Sequence, residues 1–470
     1  MLQEGSGWKT SPLLMNWEQL LNPNRRRPTT SPGDHRTQFE RDFDRSVFST
    51  PVKRLQDKAQ VFPLEPHDAI RTRLTHSLEV SSVARGLATS ASKWLTKQGE
   101  IGQGMDRWIE AIAATCGLIH DLGNPPFGHS GEDAIRSWFR EKREKQLRES
   151  LNSEQQIQDF LNFEGNAQSL RLVATLQVLA DRSGLNLTFG TLSTLSKYVA
   201  PSDKADRNAA NRAWRKPGYF ASENEIVEAI RGATGTGAAR HPICFLVEAA
   251  DDIVYLAADI EDAVKKGVLS WGAIYEQLKS RGDSVQAALT RQENILKAGR
   301  PEVPALLDDD IHAAAFRTGA IAVMADAVIK TFSDRYQEIM AGTHEGDLLD
   351  ESEAAELAAS LRMIGQTRVY PTRSTLTLEL MGRHVIGDLM DVFWEGAEAL
   401  PIDREPKTSK FAGKAAALIS PNYRRIFQDF AAEKKSLPEM YHRFQLVTDY
   451  ICGMTDSFAK RLHSELFNGS

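Results

Sequence analysis

The sequence predicts an all-α protein, a helical bundle followed by a C-terminal helical extension. Apolar residues recur at steps of three to five positions, as Leu74, Leu78, Val83 and Leu87 do, which is typical of one buried helical face. No strong run of alternating apolar and polar residues indicates a sheet. Hydrophobic residues make up 41% and charged residues 26% of the 470 positions, so the chain is able to bury a sizeable core.

Three regions follow from the distribution of prolines and apolar residues. Residues 1–45 are polar and proline-containing and carry the triplet Arg25–Arg27, which predicts an irregular N-terminal basic arm with one short helix near Trp17 to Leu21. The helical pattern begins near Phe43. The two prolines of 300–305 mark the best boundary, which divides a core over 46–300 from a C-terminal helical region over 301–470.

The helices can be predicted in order along the chain. Residues 106–120 are rich in Ala, Ile and Leu and indicate a buried helix, which the glycines and prolines of 122–131 should end. Ser130 and Asp133 have the spacing of a capping box for the next helix, which we expect to reach about residue 150. Residues 186–216 look mixed and loop-like. Further helices are predicted over 152–182, 223–232, 241–265, 308–340, 351–363, 377–399, 408–432 and 437–466.

Charge and cysteine content exclude several classes of protein. Lys and Arg number 57 against 63 Asp and Glu, a net charge of −6, which excludes a globally basic nucleic-acid coat but leaves a local basic patch open. The three cysteines are far apart, so a disulfide framework and a Cys-rich zinc module are excluded. No secretory signal and no apolar run of membrane-spanning length is evident. We therefore expect a cytoplasmic protein without a membrane partner.

Two histidines and an aspartate are candidates for metal binding or proton transfer. His120 and Asp121 end the predicted apolar helix just before the loop, where both side chains can reach a cleft. The simpler interpretation is a C-terminal helix cap. His76 lies on a predicted helix with Arg73 one turn earlier on the same face. The simpler interpretation of His76 is a core histidine whose hydrogen bonds are satisfied within the protein.

A third group of polar residues lies on one face of the helix predicted over 241–265. Asp251, Tyr255 and Asp259 are four residues apart in turn, among apolar neighbours, so buried carboxylates there need a cation or hydrogen-bond partners. Ordinary ion pairing between helices is the alternative. Taken together, His76, His120, Asp121 and Asp251 form a set of two nitrogen and two oxygen ligands, which suits a borderline or hard divalent ion.

The motif H…HD…D resembles the signature of HD-domain metal-dependent phosphohydrolases. The surrounding sequence is more specific and is similar to the bacterial deoxyguanosine triphosphate triphosphohydrolases from about residue 25 to 265. The similar blocks are RLQDKAQVFPLE (54–65), RTRLTHSLEV (71–80), HDLGNPPFGHSGE (120–132), FEGNAQSLRLV (163–173), KPGYF (216–220) and EAADDIVYLAADIEDAV (248–264). RVYPTRSTLTLELMG (368–382) is similar but less clearly so.

The resemblance implies a fold, a reaction and a set of site residues. Residues 46–300 become an HD phosphohydrolase core that hydrolyses dGTP to deoxyguanosine and triphosphate with one divalent ion per subunit (Mn, Mg, Co, Fe or Zn). The implied metal ligands are His76, His120, Asp121 and Asp251, and the implied catalytic pair is His129 and Glu132. Asp251 is preferred to Asp252 because Tyr255 and Asp259 then fall at the family's sugar-contacting spacing. The implied substrate-binding residues are Gln60, Arg73, Lys197, Lys216, Tyr255, Asp259 and, less strongly, Tyr219.

Partners and alternatives also follow from the resemblance. Family members are homo-oligomers, and some respond to single-stranded DNA, which the Arg25–Arg27 triplet is suited to bind. One alternative is an HD-domain dNTPase or nucleotidase of broader base specificity. The other is a nucleotide- or DNA-binding regulator with a degenerate HD core, which the complete ligand set argues against.

Overall fold

A computed structural model describes residues 14–29, 34–62, 64, 68–177, 183–299, 309–433 and 437–469. Most of these residues are helical and very few are in strands, as predicted. The boundary predicted at 300–305, Pro12, Pro32 and His67 lie outside the described residues.

The part of the chain up to residue 265 contains every predicted site residue, on helices, in the loops between them or on a short strand. Short 3₁₀ or π segments extend or connect several of the helices, at Leu55–Asp57, Phe139–Arg143, Leu172–Leu176, Arg212–Trp214 and Ala221–Glu223. The α-helices are α1 Trp17–Leu20, α2 Gln38–Val47, α3 Thr50–Arg54, α4 Arg73–Gln98, α5 Met105–Ile119, α6 Gly128–Trp138, α7 Glu144–Ser150, α8 Glu154–Leu161, α9 Gly165–Arg171, α10 Phe189–Leu195, α11 Asn224–Thr234 and α12 Pro242–Lys265.

The C-terminal half is helical as well. One π segment, Gly365–Val369, follows α17. The α-helices are α13 Trp271–Leu278, α14 Asp283–Gly299, α15 Asp309–Asp334, α16 Tyr336–Met340, α17 Ala355–Ile364, α18 Arg373–Ala399, α19 Phe411–Leu418, α20 Pro421–Ala432, α21 Glu439–Cys452 and α22 Asp456–Phe467. Within the mixed segment, β1 Ala200–Pro201 and β2 Pro217–Tyr219 pair in parallel as a two-stranded sheet.

The predicted capping box at Ser130 and Asp133 is wrong. Helix α6 begins at Gly128, and its N-cap is Phe127, whose φ is +63° and which makes no side-chain cap hydrogen bond. Ser130 Oγ instead donates to the Glu379 carbonyl on α18 at 2.7 Å. The reason is that packing against α18 starts the helix before Ser130, inside the Gly/Pro segment that local propensity assigns to a loop.

The predicted basic arm is folded against the core. Arg25 is 7% exposed, and its guanidinium pairs with the buried Asp42 on α2 and donates to the Asn186 carbonyl. Arg26 donates to the Ala174 carbonyl. The short helix predicted near Trp17 is confirmed as α1, and α2 extends across the division predicted at residue 45.

Three long helices, α4, α5 and α12, pack against one another and position the site. Gly117 on α5 lies so close to α4 that a Cβ there would come within 2.8 Å of Ser81 Cα. Ser81 Oγ donates to the Ala114 carbonyl at 2.7 Å across the same contact. This close approach brings the end of α5, and therefore His120, toward His76 on α4.

One helix among the described residues, α15, is long and apolar enough to span a membrane by length and composition alone. Its residues Phe316, Met324, Val328 and Phe332 are at most 1% exposed and belong to the core cluster formed with α4, α5 and α12. A buried core helix meets the same criterion, and α15 is packed as one.

Candidate active site

The structure brings the four predicted metal ligands together. His76 is on the first turn of α4, His120 follows the last residue of α5, Asp121 comes next, and Asp251 is near the middle of α12. The Nε2 atoms of His76 and His120 lie 3.0 and 3.4 Å from the same Oδ1 of Asp251. Ligand atoms of His76, His120 and Asp121 all lie within 4.8 Å of one another.

Neighbouring groups fix the orientation of His120 and Asp121. The Gly117 carbonyl accepts a hydrogen bond from His120 Nδ1 at 2.8 Å, so Nε2 of the neutral ring is left as the lone-pair nitrogen facing the other ligands. That Nε2 is buried and has no hydrogen-bond partner among the described residues. Asn124 Nδ2 donates to Asp121 Oδ1 at 2.8 Å, and Arg73 pairs with its other oxygen.

The electrostatics of this cluster favour a cation. Burial alone would raise the pKa of Asp251, but His120 and His76 hold it well below its usual range. Burial likewise disfavours a charged His120, yet the adjacent Asp121 and Asp251 raise the pKa of that imidazole. A site that holds an extra proton between two carboxylates also suits a metal ion, because metal and proton compete for the same lone pairs. The donor set and the orphaned Nε2 therefore fit a divalent ion.

A cavity of about 570 Å³ opens over the cluster, a size within the usual range of small-ligand sites. Gln60 contributes to its wall, and Gln60 Oε1 is buried without a hydrogen-bond partner among the described residues. Because an unpaired buried oxygen is costly, its position favours a ligand that donates to it. The other predicted site residues lining the cavity are Arg73, His120, Asp121, His129, Glu132, Lys197, Lys216, Asp251, Tyr255 and Asp259.

His129 and Glu132 form a pair on the first turn of α6. His129 Nδ1 lies 3.3 Å from Glu132 Oε2, while Glu132 Oε1 accepts from the Gly165 amide at 2.7 Å. The His129 side chain is 89% exposed, and its ring faces the cavity, whereas Glu132 is 2% exposed as a residue. The hydrogen bond that His129 donates to the Glu132 carboxylate raises the pKa of His129. The buried carboxylate thus orients an accessible imidazole and favours its protonated form.

Two lysines, Lys197 and Lys216, line the same cavity. Lys216 Nζ is 3.3 Å from Glu164, and Lys197 Nζ is 3.4 Å from Glu248. Both ammonium groups lie within 6 Å of the Tyr198 ring, at 5.7 and 5.9 Å from its centroid. A second cavity of about 1110 Å³ shares Lys197, Lys216 and His129 with the first. The lysines therefore border the route between the two cavities.

Two residues that the sequence analysis did not assign complete the wall around Tyr255 and Asp259. Tyr370 donates its hydroxyl hydrogen to Asp259 Oδ2 at 2.7 Å, and burial raises the pKa of Asp259 to about 7. Arg362 hydrogen-bonds the Tyr255 side chain and lies 3.1 Å from Asp350. Tyr370 falls within residues 368–382, the block that resembles the family less clearly, and this was the one sequence signal that pointed to it. Nothing in the local sequence marked Arg362.

Among the predicted substrate-binding residues, Tyr219 is the one that does not line the cavity. It is 7% exposed, and the Arg231 guanidinium lies 5.2 Å from its ring centroid. The residue lies on β2 and lines a separate, smaller cavity together with Arg231. Tyr198 occupies the cavity wall instead.

Comparisons with known proteins show which family the chain resembles. Residues 73–182 match the HD domain family. The chain is 36% identical to a deoxyguanosinetriphosphate triphosphohydrolase-like protein of Listeria monocytogenes over 96% of this chain and 99% of that one. It is 32% identical to the deoxyguanosinetriphosphate triphosphohydrolase of Klebsiella pneumoniae subsp. pneumoniae, over 90% and 92%, and 31% identical to that of an Enterobacter species, over 95% and 96%.

Proposed function

The chain belongs to the HD-domain deoxyguanosinetriphosphate triphosphohydrolase family, and we propose that it hydrolyses dGTP to deoxyguanosine and triphosphate. Water attacks the α-phosphorus, and the 5′-oxygen of the sugar leaves. The observation that carries this proposal is the convergence of His76, His120, Asp121 and Asp251 beneath a cavity that also holds the His129–Glu132 pair.

A divalent ion would be held by the four converging ligands. When bound, it supplies charge neutralisation at the phosphoryl oxygens and a lower pKa for coordinated water. Two imidazoles and two carboxylates suit Mn²⁺, Mg²⁺, Co²⁺, Fe²⁺ or Zn²⁺. Asn124 and Arg73 restrain Asp121, so the ligand geometry is set before an ion arrives.

The cations around the cavity offset the charge of the triphosphate. Arg73 pairs with Asp121 of the ligand cluster, and Lys197 and Lys216 line the same cavity, so all three cations are available to a chain of phosphates bound there. Glu248 and Glu164 hold the two lysines in place and raise the pKa of each, although burial opposes this. Both lysines therefore remain charged near neutral pH.

The His129–Glu132 pair supplies the proton chemistry. The departing 5′-oxygen is an alkoxide, a poor leaving group at neutral pH, so a nearby acid speeds the reaction. His129 has a raised pKa and an accessible ring, which suits a group that carries a proton to that oxygen. The alternative role for His129 is to accept a proton from the attacking water.

Tyr255 and Asp259 select the deoxyribose in this proposal. A tyrosine ring against C2′ leaves no room for a 2′-hydroxyl, and Asp259 holds the 3′-hydroxyl. Arg362 and Tyr370 keep these two side chains in place through the hydrogen bonds described above.

Replacing Tyr255 with alanine is expected to relax the rejection of GTP, because the space beside C2′ becomes open. We expect the ratio of kcat/KM for dGTP to that for GTP to fall about 10-fold or more, since one packing contact is worth about 1–3 kcal/mol in discrimination. Steady-state kinetics with both nucleotides measure the ratio. Tyr198→Ala is the control and should leave the ratio for dGTP over GTP unchanged. If Tyr255→Ala also leaves that ratio unchanged, Tyr255 does not select the deoxyribose.

The reaction itself is tested by product analysis in ¹⁸O-labelled water. Purified protein is incubated with Mn²⁺ and each dNTP and NTP in turn. We expect deoxyguanosine and tripolyphosphate from dGTP, with the label in the tripolyphosphate, because water attacks phosphorus rather than carbon. Labelled deoxyguanosine would overturn the assignment of the attacked atom.

The two alternatives give different results when a deoxynucleoside monophosphate and a single-stranded DNA are added to the tested compounds. Equal turnover of all four dNTPs supports a dNTPase of broader base specificity, and release of inorganic phosphate from a monophosphate supports a nucleotidase. Nucleotide or DNA binding without any product supports a regulator with a degenerate core. The complete ligand set and the oriented His129 favour the enzyme.

Single-stranded DNA remains a proposed effector, but the supporting surface differs from the one expected. Arg25 and Arg26 are engaged with the core, as described above. A separate cavity of about 570 Å³, the arginine-lined cavity, is bordered by Arg36, Arg41, Arg45, Arg54, the exposed Phe48 and Tyr423. Arg45 and Arg54 donate to the carbonyls of Leu185 and Gly453 and make no ion pair with a carboxylate in the described part of the chain. These arginines and the aromatic ring suit a phosphodiester strand.

We expect Arg45→Gln to weaken binding of a fluorescent oligodeoxythymidylate and to flatten its salt dependence by about one unit of slope. Burial and the nearby Arg25 already lower the pKa of Arg45, so a phosphate there relieves an under-compensated charge. Fluorescence anisotropy at several salt concentrations provides the measurement. Arg148→Gln, on the exposed face of α7, is the matched control. An equal loss in both variants contradicts a specific site.

The remaining expectations are also proposals. We propose a homo-oligomer, to which the long C-terminal helices are suited, and a cytoplasmic location. All three cysteines are free and buried, which is consistent with a reducing compartment.

A further inference from the structure

The turn between α21 and α22 lies against two segments of the candidate site. Asp456, the first residue of α22, is 2% exposed. Its Oδ1 accepts a hydrogen bond from the Phe127 amide at 3.0 Å, and its Oδ2 accepts one from the Ala59 amide at 3.0 Å. One carboxylate thus joins the residue before α6 to the residue before Gln60.

Lys58 makes a second connection between the same parts of the molecule. It is 4% exposed, and its Nζ donates to the Asn124 carbonyl at 2.6 Å and the Cys452 carbonyl at 2.8 Å. The Lys58 carbonyl accepts from the Arg73 amide at 2.9 Å. The α21–α22 turn is therefore bound to the loop that contains Asn124 and Phe127 and to the strand-like segment that ends in Gln60.

The conformation at Phe127 explains why the loop needs an external acceptor. Phe127 has φ +63° and Gly128 has φ +59°, so two consecutive residues adopt the left-handed region at the start of α6. A residue with a side chain is strained in that region unless its surroundings hold it there. Phe127 contributes no side-chain cap, and its amide is satisfied by Asp456. His129 follows two residues later, so the position of its ring depends on this backbone.

We propose that Asp456 is a positioning residue for the active site. It fixes the backbone from which His129 projects and, through Ala59, the position of Gln60. The expected effect on kcat rests on the proposed function. The expected effect on the backbone at Phe127 and Ala59 rests on the hydrogen bonds alone. It assigns to the C-terminal helical region a direct part in forming the site, since Asp456 lies 324 residues beyond Glu132 in the sequence.

The test combines kinetics with amide hydrogen exchange in the full-length protein loaded with Mn²⁺. Asp456→Asn keeps one acceptor oxygen and places an NH₂ group against the other amide, so one of the two hydrogen bonds is lost with little change in size. We expect kcat for dGTP to fall about 10- to 100-fold, as a small displacement of a catalytic group does, while KM rises by a smaller factor through Gln60 and the Mn²⁺ dissociation constant changes less than about twofold. The amides of Phe127 and Ala59 should exchange faster, and those of α12 should not.

Controls make each result decisive. Ser457→Ala removes the neighbouring hydrogen bond to Asp57, on the exposed side of the same turn, and should leave kcat unchanged. If Asp456→Asn does not fold, Lys58→Met breaks the second connection instead. This variant should likewise lower kcat by more than it changes KM. Faster exchange with unchanged kcat overturns the proposal, as does unchanged exchange at Phe127 and Ala59. Absence of dGTP hydrolysis in the wild type overturns the proposed function, while the exchange result still tests the contact.

Discussion

Asp251→Ala is expected to abolish dGTP hydrolysis, with a fall in kcat/KM of at least about 10³-fold, because the loss of one ligand removes several kcal/mol of transition-state stabilisation. Asp251 is the residue whose carboxylate touches both imidazoles, at 3.0 and 3.4 Å. Without it, His76 loses its carboxylate contact, and His120 keeps only the contact with Asp121 at 3.5 Å. Bound Mn²⁺ per chain, measured by elemental analysis after gel filtration, should fall together with activity.

Asp252→Asn is the matched control for that result. Asp252 is the next residue on α12, and burial raises its pKa to about 7, so the neutral amide resembles the protonated carboxyl group that Asp252 partly adopts near neutral pH. We expect this variant to retain its Mn²⁺ and most of its activity. Loss of metal from Asp252→Asn, with metal retained in Asp251→Ala, would show that the ligand on α12 has been misassigned.

The second large effect concerns His129. His129→Ala is expected to lower kcat about 10²- to 10⁴-fold with Mn²⁺ still bound, because general acid–base help is lost while the four metal ligands remain. The separation of metal content from activity distinguishes this variant from Asp251→Ala. Full activity in His129→Ala would exclude the pair from proton transfer.

The pH dependence of Glu132→Gln identifies which way the proton moves. Glu132 raises the pKa of His129 through their hydrogen bond, so the neutral glutamine should lower that pKa. If His129 acts as an acid, activity requires its protonated form and is lost above its pKa, so the alkaline limb of the kcat profile moves to lower pH. If it acts as a base, activity requires the neutral form and the acidic limb moves to lower pH. A profile in which neither limb moves contradicts the coupling between Glu132 and His129.

Much of the helical architecture was predictable because helix formation follows local periodicity. Helix α5 was predicted within one residue at each end, and the predicted helix over 241–265 matches α12 to within one residue. Boundaries failed where tertiary contacts outweigh local preference. Ser130 packs against α18 and donates to a carbonyl there, so it does not cap α6 although its spacing to Asp133 suits a cap. Arg25 and Arg26 of the basic triplet bind Asp42 and two backbone carbonyls of the core, so the arm does not extend from the core.

The site was predictable where its residues belong to recognisable motifs. The four ligands, His129 and Glu132 lie in blocks that resemble one family, and the structure places them together. Arg362 and Tyr370 reach Tyr255 and Asp259 from more than a hundred residues away, so no local spacing connects them. Tyr219 was chosen from a similar block, but it lines a separate, smaller cavity, and Tyr198 takes the place beside the lysines.

The sequence by itself determined the all-α fold and the chemistry available to the protein, because helical periodicity and the identities of metal-binding and proton-transferring side chains are local properties. Only the tertiary structure decided how those side chains are held. The orphaned Nε2 of His120, the lysines on either side of Tyr198, and the carboxylate of Asp456 beneath Phe127 each depend on segments distant in the chain. Their positions result from the packing of α4, α5, α12 and the C-terminal helices, and packing is a property of the whole folded chain rather than of any segment.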